Sequence, residues 1–231
     1  MVHRVVFAAL LAFAVTAGVA RPVSAQQTLT LQIGAFIPKG EDARVAGDVL
    51  TINRQYLLFD IGDFSGFLVG GDWALALGEY LEAGAGFGFY QETVPAVYAE
   101  WINEDGSEIE QDLTLRIMPA TAVVKILPLG SKKAFQPYVG AGLGIYFWRY
   151  SEKGEFVDFY DDSVYSASYT QSGTSFGPVA VFGMRGRLSQ SAIIGMEGRY
   201  QWGEGQLSQD FLGEKIDLGG FSILATFGYR F

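Results

Sequence analysis

From residue 28 onward, apolar and polar positions alternate with period two in one segment after another. In 219–231, GGFSILATFGYRF, one face carries Phe221, Ile223, Ala225, Phe227, Tyr229 and Phe231, and the other carries Ser222, Thr226, Gly228 and Arg230. In 192–202, AIIGMEGRYQW, Ala192, Ile194, Met196, Tyr200 and Trp202 share a face, and Gly195, Glu197, Arg199 and Gln201 share the other. Helical spacing would mix these sets, whereas strand spacing separates them. Eight such segments fit the chain, at about 28–37, 65–77, 80–92, 111–128, 134–151, 171–188, 191–205 and 217–231. Three connections are short (78–79, 129–133, 189–190) and four are long (38–64, 93–110, 152–170, 206–216). Long and short links alternate, and both ends fall on the short-link side. This pattern predicts an all-β protein, an eight-stranded antiparallel up-and-down barrel. The apolar stretches Val49–Asp60 and Val94–Ile102 are expected to lengthen the barrel rather than raise the strand count to ten.

The fifth segment tells which face meets which solvent. Phe135, Pro137, Val139, Ala141, Leu143, Ile145 and Phe147 form one face, and Gln136, Tyr138, Gly140, Gly142, Gly144, Tyr146 and Trp148 form the other. The first face suits acyl chains and has a phenylalanine at each end. Twelve strand residues span roughly 40 Å, and a barrel tilt near 40° reduces that to about 30 Å of membrane height. The reading is therefore a transmembrane barrel, with Leu75, Phe87, Val139, Ile145, Ile194, Tyr200 and Phe227 outward. The runs Gly84-Ala-Gly86-Phe-Gly88 and Gly140-Ala-Gly142-Leu-Gly144 lie inside strands, and all three glycines of each run share a face. They lack the spacing and the strand-to-helix context of a dinucleotide loop, and are expected to make room for bulky side chains inside the barrel.

Charge adds a second inward set: Asp72, Glu82, Arg116, Lys125, Arg185, Arg187, Glu197, Arg199 and Arg230. Lys125 joins it if Pro119 marks a bulge that flips the parity of its strand. Buried charges need partners, so these residues are expected to form an ion network that closes the lumen. Glu197 stands diagonal to Arg185, and Glu82 lies near Lys125 on the neighbouring strand. Of the 25 acids, 21 fall in the long links or their rims with only five basic residues, a net charge of −16. Asp158, Asp161 and Asp162 are expected to hold divalent cations loosely, although no EF-hand pattern is present.

The first 25 residues, MVHRVVFAALLAFAVTAGVARPVSA, read as a cleaved signal peptide: a basic start, an apolar run and small residues before a cut between Ala25 and Gln26. The barrel then occupies 26–231. Removing Arg4 and Arg21 leaves 14 basic residues against 25 acids, a net charge of −11, which argues against nucleic acid as a partner. The only histidine is His3, and there is no cysteine, so the mature chain lacks the groups for Ser–His–Asp or Cys–His catalysis. No catalytic, cofactor or metal site is read from it, and the expectation is a protein that is not an enzyme. Glycine numbers 30, aromatic residues make up 15% and mean hydropathy is +0.20, all in keeping with a barrel in lipid.

On these residues the chain resembles the small outer-membrane β-barrel proteins of the OmpA/OmpX/OmpW type. Its C-terminus, FGYRF, matches the assembly signal of that group in Phe227, Tyr229 and Phe231, and PYVGAGLGIYFW is similar to the corresponding glycine-rich strand. The resemblance covers about residues 27–231 and identifies architecture more than activity. It implies a monomer in the outer membrane of a Gram-negative-type envelope, in contact with outer-membrane lipid, lipopolysaccharide and the barrel-assembly machinery. It also implies surface loops with structural, adhesive or interaction roles, or alternatively a narrow porin-like channel for small solutes. No periplasmic domain is expected after Phe231, and the loops are longer and more acidic than in the smallest members.

Overall fold

Alternating segments with short turns between them pair into one antiparallel ladder that returns on itself. The computed structural model describes residues 26–231, so Ala25 of the expected cleavage site lies outside the described residues and Gln26 begins them. Eight strands form the ring: β1 (Gln27–Pro38), β2 (Gly66–Ala76), β3 (Leu81–Ile102), β4 (Glu108–Ile126), β5 (Phe135–Val157), β6 (Val164–Arg187), β7 (Ala192–Gln201) and β8 (Gly220–Arg230). Each pairs with its sequence neighbours, and β1 pairs with β8 from Thr28↔Arg230 to Pro38↔Gly220, which closes the barrel and leaves the ring without an edge. No helix among the described residues is long and apolar enough to cross a membrane; the spanning elements are strands.

The apolar set faces outward. Phe87, Val139, Ile145, Ile194 and Phe227 are exposed, and Leu75 and Tyr200 share their parity at intermediate exposure. Aromatic residues end this belt, with Phe67, Phe89, Phe147 and Phe176 exposed and Phe221 half-buried at one rim, and Trp73, Phe135, Tyr229 and Phe231 exposed at the other. So large an exposed apolar surface is stable against hydrocarbon and not against water.

Three strands are longer than the alternation suggests. β3 runs on to Ile102, β5 runs on to Val157, and β6 starts at Val164, so the hairpins β3–β4 and β5–β6 stand above the aromatic rim as a wall. Val94–Ile102 is part of this extension. Val49–Asp60 is not a strand: Val49–Asn53 forms a short helix, α1, capped by the Asp48 side chain on the Thr51 amide. Only Leu57–Leu58 pairs, with Tyr98 and Val97 of β3, outside the ring.

Pro119 makes no bulge. The β4–β5 register continues without slippage from Gln111↔Gly154 to Ile126↔Val139. Against β3 the ladder lapses between Phe87↔Ala120 and Tyr90↔Ile117 and resumes in the same register. The ring of Pro119 fits because its neighbour is Gly88, where a Cβ would lie 3.1 Å from the proline Cγ. Parity is therefore constant along β4. Leu113, Leu115, Ile117, Thr121, Val123 and Lys125 all point inward, and Arg116 points outward, contrary to the sequence expectation.

Candidate functional site in the lumen and crown

The lumen is filled at two levels by different chemistry. The lower level is ionic. Lys125 Nζ lies 2.7 Å from Glu197 Oε2, and Arg199 Nη2 lies 2.7 Å from Glu197 Oε1. Tyr138 donates its hydroxyl to the same carboxylate at 2.9 Å, and its ring lies 4.7 Å under the Lys125 ammonium. Arg185 pairs with Glu82 and donates to Gln136 Oε1 at 2.9 Å. Arg230 reaches the same amide oxygen at 3.0 Å. Gln32 links the two sides, donating to Asp72 and accepting from Arg199.

The partners are exchanged relative to the sequence reading. Glu82 and Lys125 are register neighbours on β3 and β4, yet each pairs across the lumen, Glu82 with Arg185 and Lys125 with Glu197. Cross-lumen pairing joins opposite walls of the barrel. Arg187 lies at the mouth on the short-turn side, donating to the carbonyls of Ser131 and Lys132. The inward glycines do what small residues do at a crowded wall. A Cβ on Gly144 would lie 2.6 Å from the Tyr146 ring, and one on Gly183 would lie 2.6 Å from the Tyr138 hydroxyl.

The upper level is an apolar plug. The first long loop folds back into the barrel, and Val49, Leu50, Leu57, Ile61 and Phe64 are buried against Phe36, Tyr90, Leu113, Leu115, Tyr146, Trp148 and Tyr150 of the wall. Phe211, Ile216 and Leu218 of the last loop complete it. A buried polar knot ties the two loops together. Asp217 Oδ2 accepts from Val45 N and Lys39 Nζ, both at 3.0 Å, and Oδ1 accepts from Gly219 N at 2.7 Å. Asp48 accepts from Arg44 Nε at 2.5 Å and from the Asp217 amide at 2.7 Å. Asp48 and Asp217 were counted among the acids of the solvated loops; they are buried instead.

Above the plug, the tall hairpins and the loops enclose a cavity of about 260 Å³ lined by Asn53, Tyr56, Tyr98, Glu152, Tyr165, Tyr169 and Asp210. Glu152 is also buried, and its Oε1 accepts from Asn53 Nδ2 at 2.6 Å and Tyr150 OH at 2.8 Å. Burial raises its pKa above the usual carboxylate range, and the two hydrogen bonds oppose that shift. The Tyr165 hydroxyl, shared with Tyr169, is pushed up to about 12, chiefly by that hydrogen bond. Tyr98, Trp101 and Phe159 pack edge to face around the rim and Tyr56 lies tilted against Phe159, with ring centroids 5.1–6.0 Å apart. A wall of tyrosines with carboxylates suits a cationic group.

The expected cation ligands do not converge. Asp158 accepts from the Tyr160 amide, Asp161 from the Ser163 amide and Asp162 from the Trp101 indole, so the three carboxylates face different ways. Among the described residues no group of three acidic, histidine or cysteine side chains is placed to hold a metal ion. Asp48, Asn53, Tyr150, Glu152 and Asp217 organise the crown, and the alternation pattern did not point to them. The readable signal was the run Asp48-Val-Leu-Thr-Ile-Asn53, a helix cap followed by apolar residues inside a polar loop. Phe227, Tyr229 and Phe231 lie on the outward face near the short-turn rim, with the Tyr229 and Phe231 rings stacked 6.2 Å apart.

No family model matches the chain, and no curated protein matches it. Solved structures do. The outer-membrane protein OprG from Pseudomonas aeruginosa aligns over 90% of this chain and 96% of its own, at 15% identity and a TM-score of 0.53. Neisserial surface protein A aligns over 89% and 97%, at 13% identity and a TM-score of 0.47. The first likeness establishes the fold: this chain is an eight-stranded transmembrane barrel of the outer-membrane type.

Proposed function

We propose that the chain is a non-enzymatic integral protein of a bacterial outer membrane, delivered by a cleaved signal peptide. Its lumen is closed, and it acts through the crown that its hairpins and loops build outside the membrane. The observation that carries this reading is the double closure, an ionic layer across the lower lumen and an apolar plug above it. Eight strands enclose only enough space for side chains, and here those side chains meet. The crown combines a tyrosine-lined cavity with an excess of carboxylates, so the partner it suits presents a basic, partly apolar group.

The test is single-channel recording on the refolded mature chain in planar bilayers, with a known porin as positive control. The expected trace is flat. Stable conductance steps would overturn the closed-barrel reading in favour of the narrow-channel alternative.

A further inference from the structure

One outward row breaks the rule that the membrane face is apolar. Just above the aromatic rim, Gln91, Arg116, Arg149 and Ser172 are successive cross-strand partners on β3, β4, β5 and β6. Arg116 and Arg149 are therefore directly opposite each other, on a face where such neighbours have Cβ atoms about 5 Å apart. Like charges so placed repel. Among the described residues, neither guanidinium has a carboxylate within 4.0 Å. The next outward acid, Asp112, lies further up β4, opposite Lys153. Beside the pair runs an outward groove of about 290 Å³, lined by Arg116, Met118, Phe147, Trp148, Ser172 and Thr174, with Arg149 outside the lining but next to it as the register partner of Arg116 and Ser172. Its lower part is apolar and its upper part offers guanidinium and hydroxyl donors.

We propose that this groove binds the phosphate of a phosphorylated glycolipid in the surrounding outer leaflet. The inference rests on the outer-membrane reading above. Arg116 and Arg149 would share the phosphate oxygens through charge-assisted hydrogen bonds, a task the planar guanidinium fork suits better than an ammonium. Ser172 and Thr174 hydroxyls lie at the height where sugar or phosphate oxygens need donors. Met118 and Phe147 meet the first methylenes of the acyl chains. An anion between the arginines also removes their mutual repulsion, so a lipid held there stabilises the β4–β5 wall. Height decides the source of the phosphate: the row sits one residue pair beyond Met118 and Phe147, where the headgroups of a bilayer lie.

The test uses the mature chain refolded into nanodiscs of phosphatidylcholine doped with bisphosphorylated lipid A, extracted into mild detergent and weighed by native mass spectrometry. The wild type is expected to retain lipid A. The Arg116→Gln/Arg149→Gln double variant should retain it at least about tenfold less, the scale of one charge-assisted hydrogen bond. Dephosphorylated lipid A should not be retained, and millimolar inorganic phosphate should not displace the lipid. Displacement by inorganic phosphate would identify a free-anion site and overturn the lipid assignment. Equal retention by the double variant, with its heat-modifiable gel mobility intact, would overturn the site while leaving the barrel reading standing. A chain that does not enter the nanodisc at all would overturn the membrane reading, and this proposal with it. Arg116→Lys/Arg149→Lys, which keeps the charge without the fork, should fall between the two.

Discussion

Truncating Asp217 to alanine should release the first loop from the barrel without unfolding the barrel. The Asp217 side chain is fully buried and is the acceptor for Val45 N, Lys39 Nζ and Gly219 N. Its removal leaves the buried Gly219 amide and the part-buried Val45 amide without acceptors, and Lys39 has some access to water. A buried donor left unpaired costs roughly 1–3 kcal/mol, so the two amides and the lost ion pair together destabilise the closed loop by about 3–5 kcal/mol. At 1.4 kcal/mol per decade, the open population rises by roughly two to three and a half orders of magnitude. Amide hydrogen exchange in micelles reads this directly: the amides of 45–54 should exchange faster by that factor, while those of β4 and β5 within the membrane keep their protection. Asp217→Asn keeps one carbonyl oxygen and should lie between wild type and Asp217→Ala. Unchanged exchange at 45–54 in Asp217→Ala would refute the knot as the device that holds the plug.

Other outcomes follow from the same geometry. Glu152→Gln should flatten the pH response of the crown. A carboxyl whose folded pKa is raised binds its proton more tightly in the folded state, so the wild-type crown is most stable below the ordinary value of 4.5 and loses stability as pH rises through the raised value; proteolysis of the loops across that range is the readout. Gly142→Val should abolish folding, because a Cβ there would lie 1.9 Å from the Ala122 carbonyl oxygen; heat-modifiable gel mobility checks it. Deleting Phe231 should lower the amount inserted in the outer membrane of growing cells while barely changing the melting of the refolded barrel, since its ring is exposed to lipid. Tyr160→Cys, at the tip of the β5–β6 hairpin and almost wholly exposed, should react with an impermeant maleimide on intact cells.

The barrel was legible because a period of two is a local signal: Phe221 to Phe231 and Phe135 to Phe147 declare their faces without reference to any neighbour. What was missed depends on contacts distant in sequence. The upper parts of β3, β5 and β6 look like loop because they carry Glu100, Glu155 and interspersed serines, and only pairing, of β3 with β4 and of β5 with β6, makes them strands. Asp48, Glu152 and Asp217 were assigned to solvated acidic loops; their burial follows from α1 docking into the mouth, which no local pattern encodes. Lys125 points inward without the bulge at Pro119 that was assumed for it, and Arg116, counted with the same inward set, points outward. The register holds because Gly88, thirty-one residues away on another strand, leaves space for the proline ring. That displaced arginine, with Arg149, is what gives the outer face its anion groove.

Which solvent each face meets is the claim on which everything else depends, and single-cysteine scanning tests it in one measurement, since the chain contains no cysteine of its own. Leu143, Phe176, Ile223 and Phe227 are exposed on the outward face, and Thr30, Thr121, Ser175 and Thr226 are buried on the inward one, where cysteine is nearly isosteric. Fluorophores at the outward positions, in proteoliposomes, should be quenched by lipid-borne nitroxides. Cysteines at the inward positions should resist both those quenchers and water-soluble maleimide, because the lumen is filled. Rapid aqueous labelling of Thr30→Cys, Thr121→Cys, Ser175→Cys and Thr226→Cys, or outward sites indifferent to the lipid quencher, would contradict the closed transmembrane barrel.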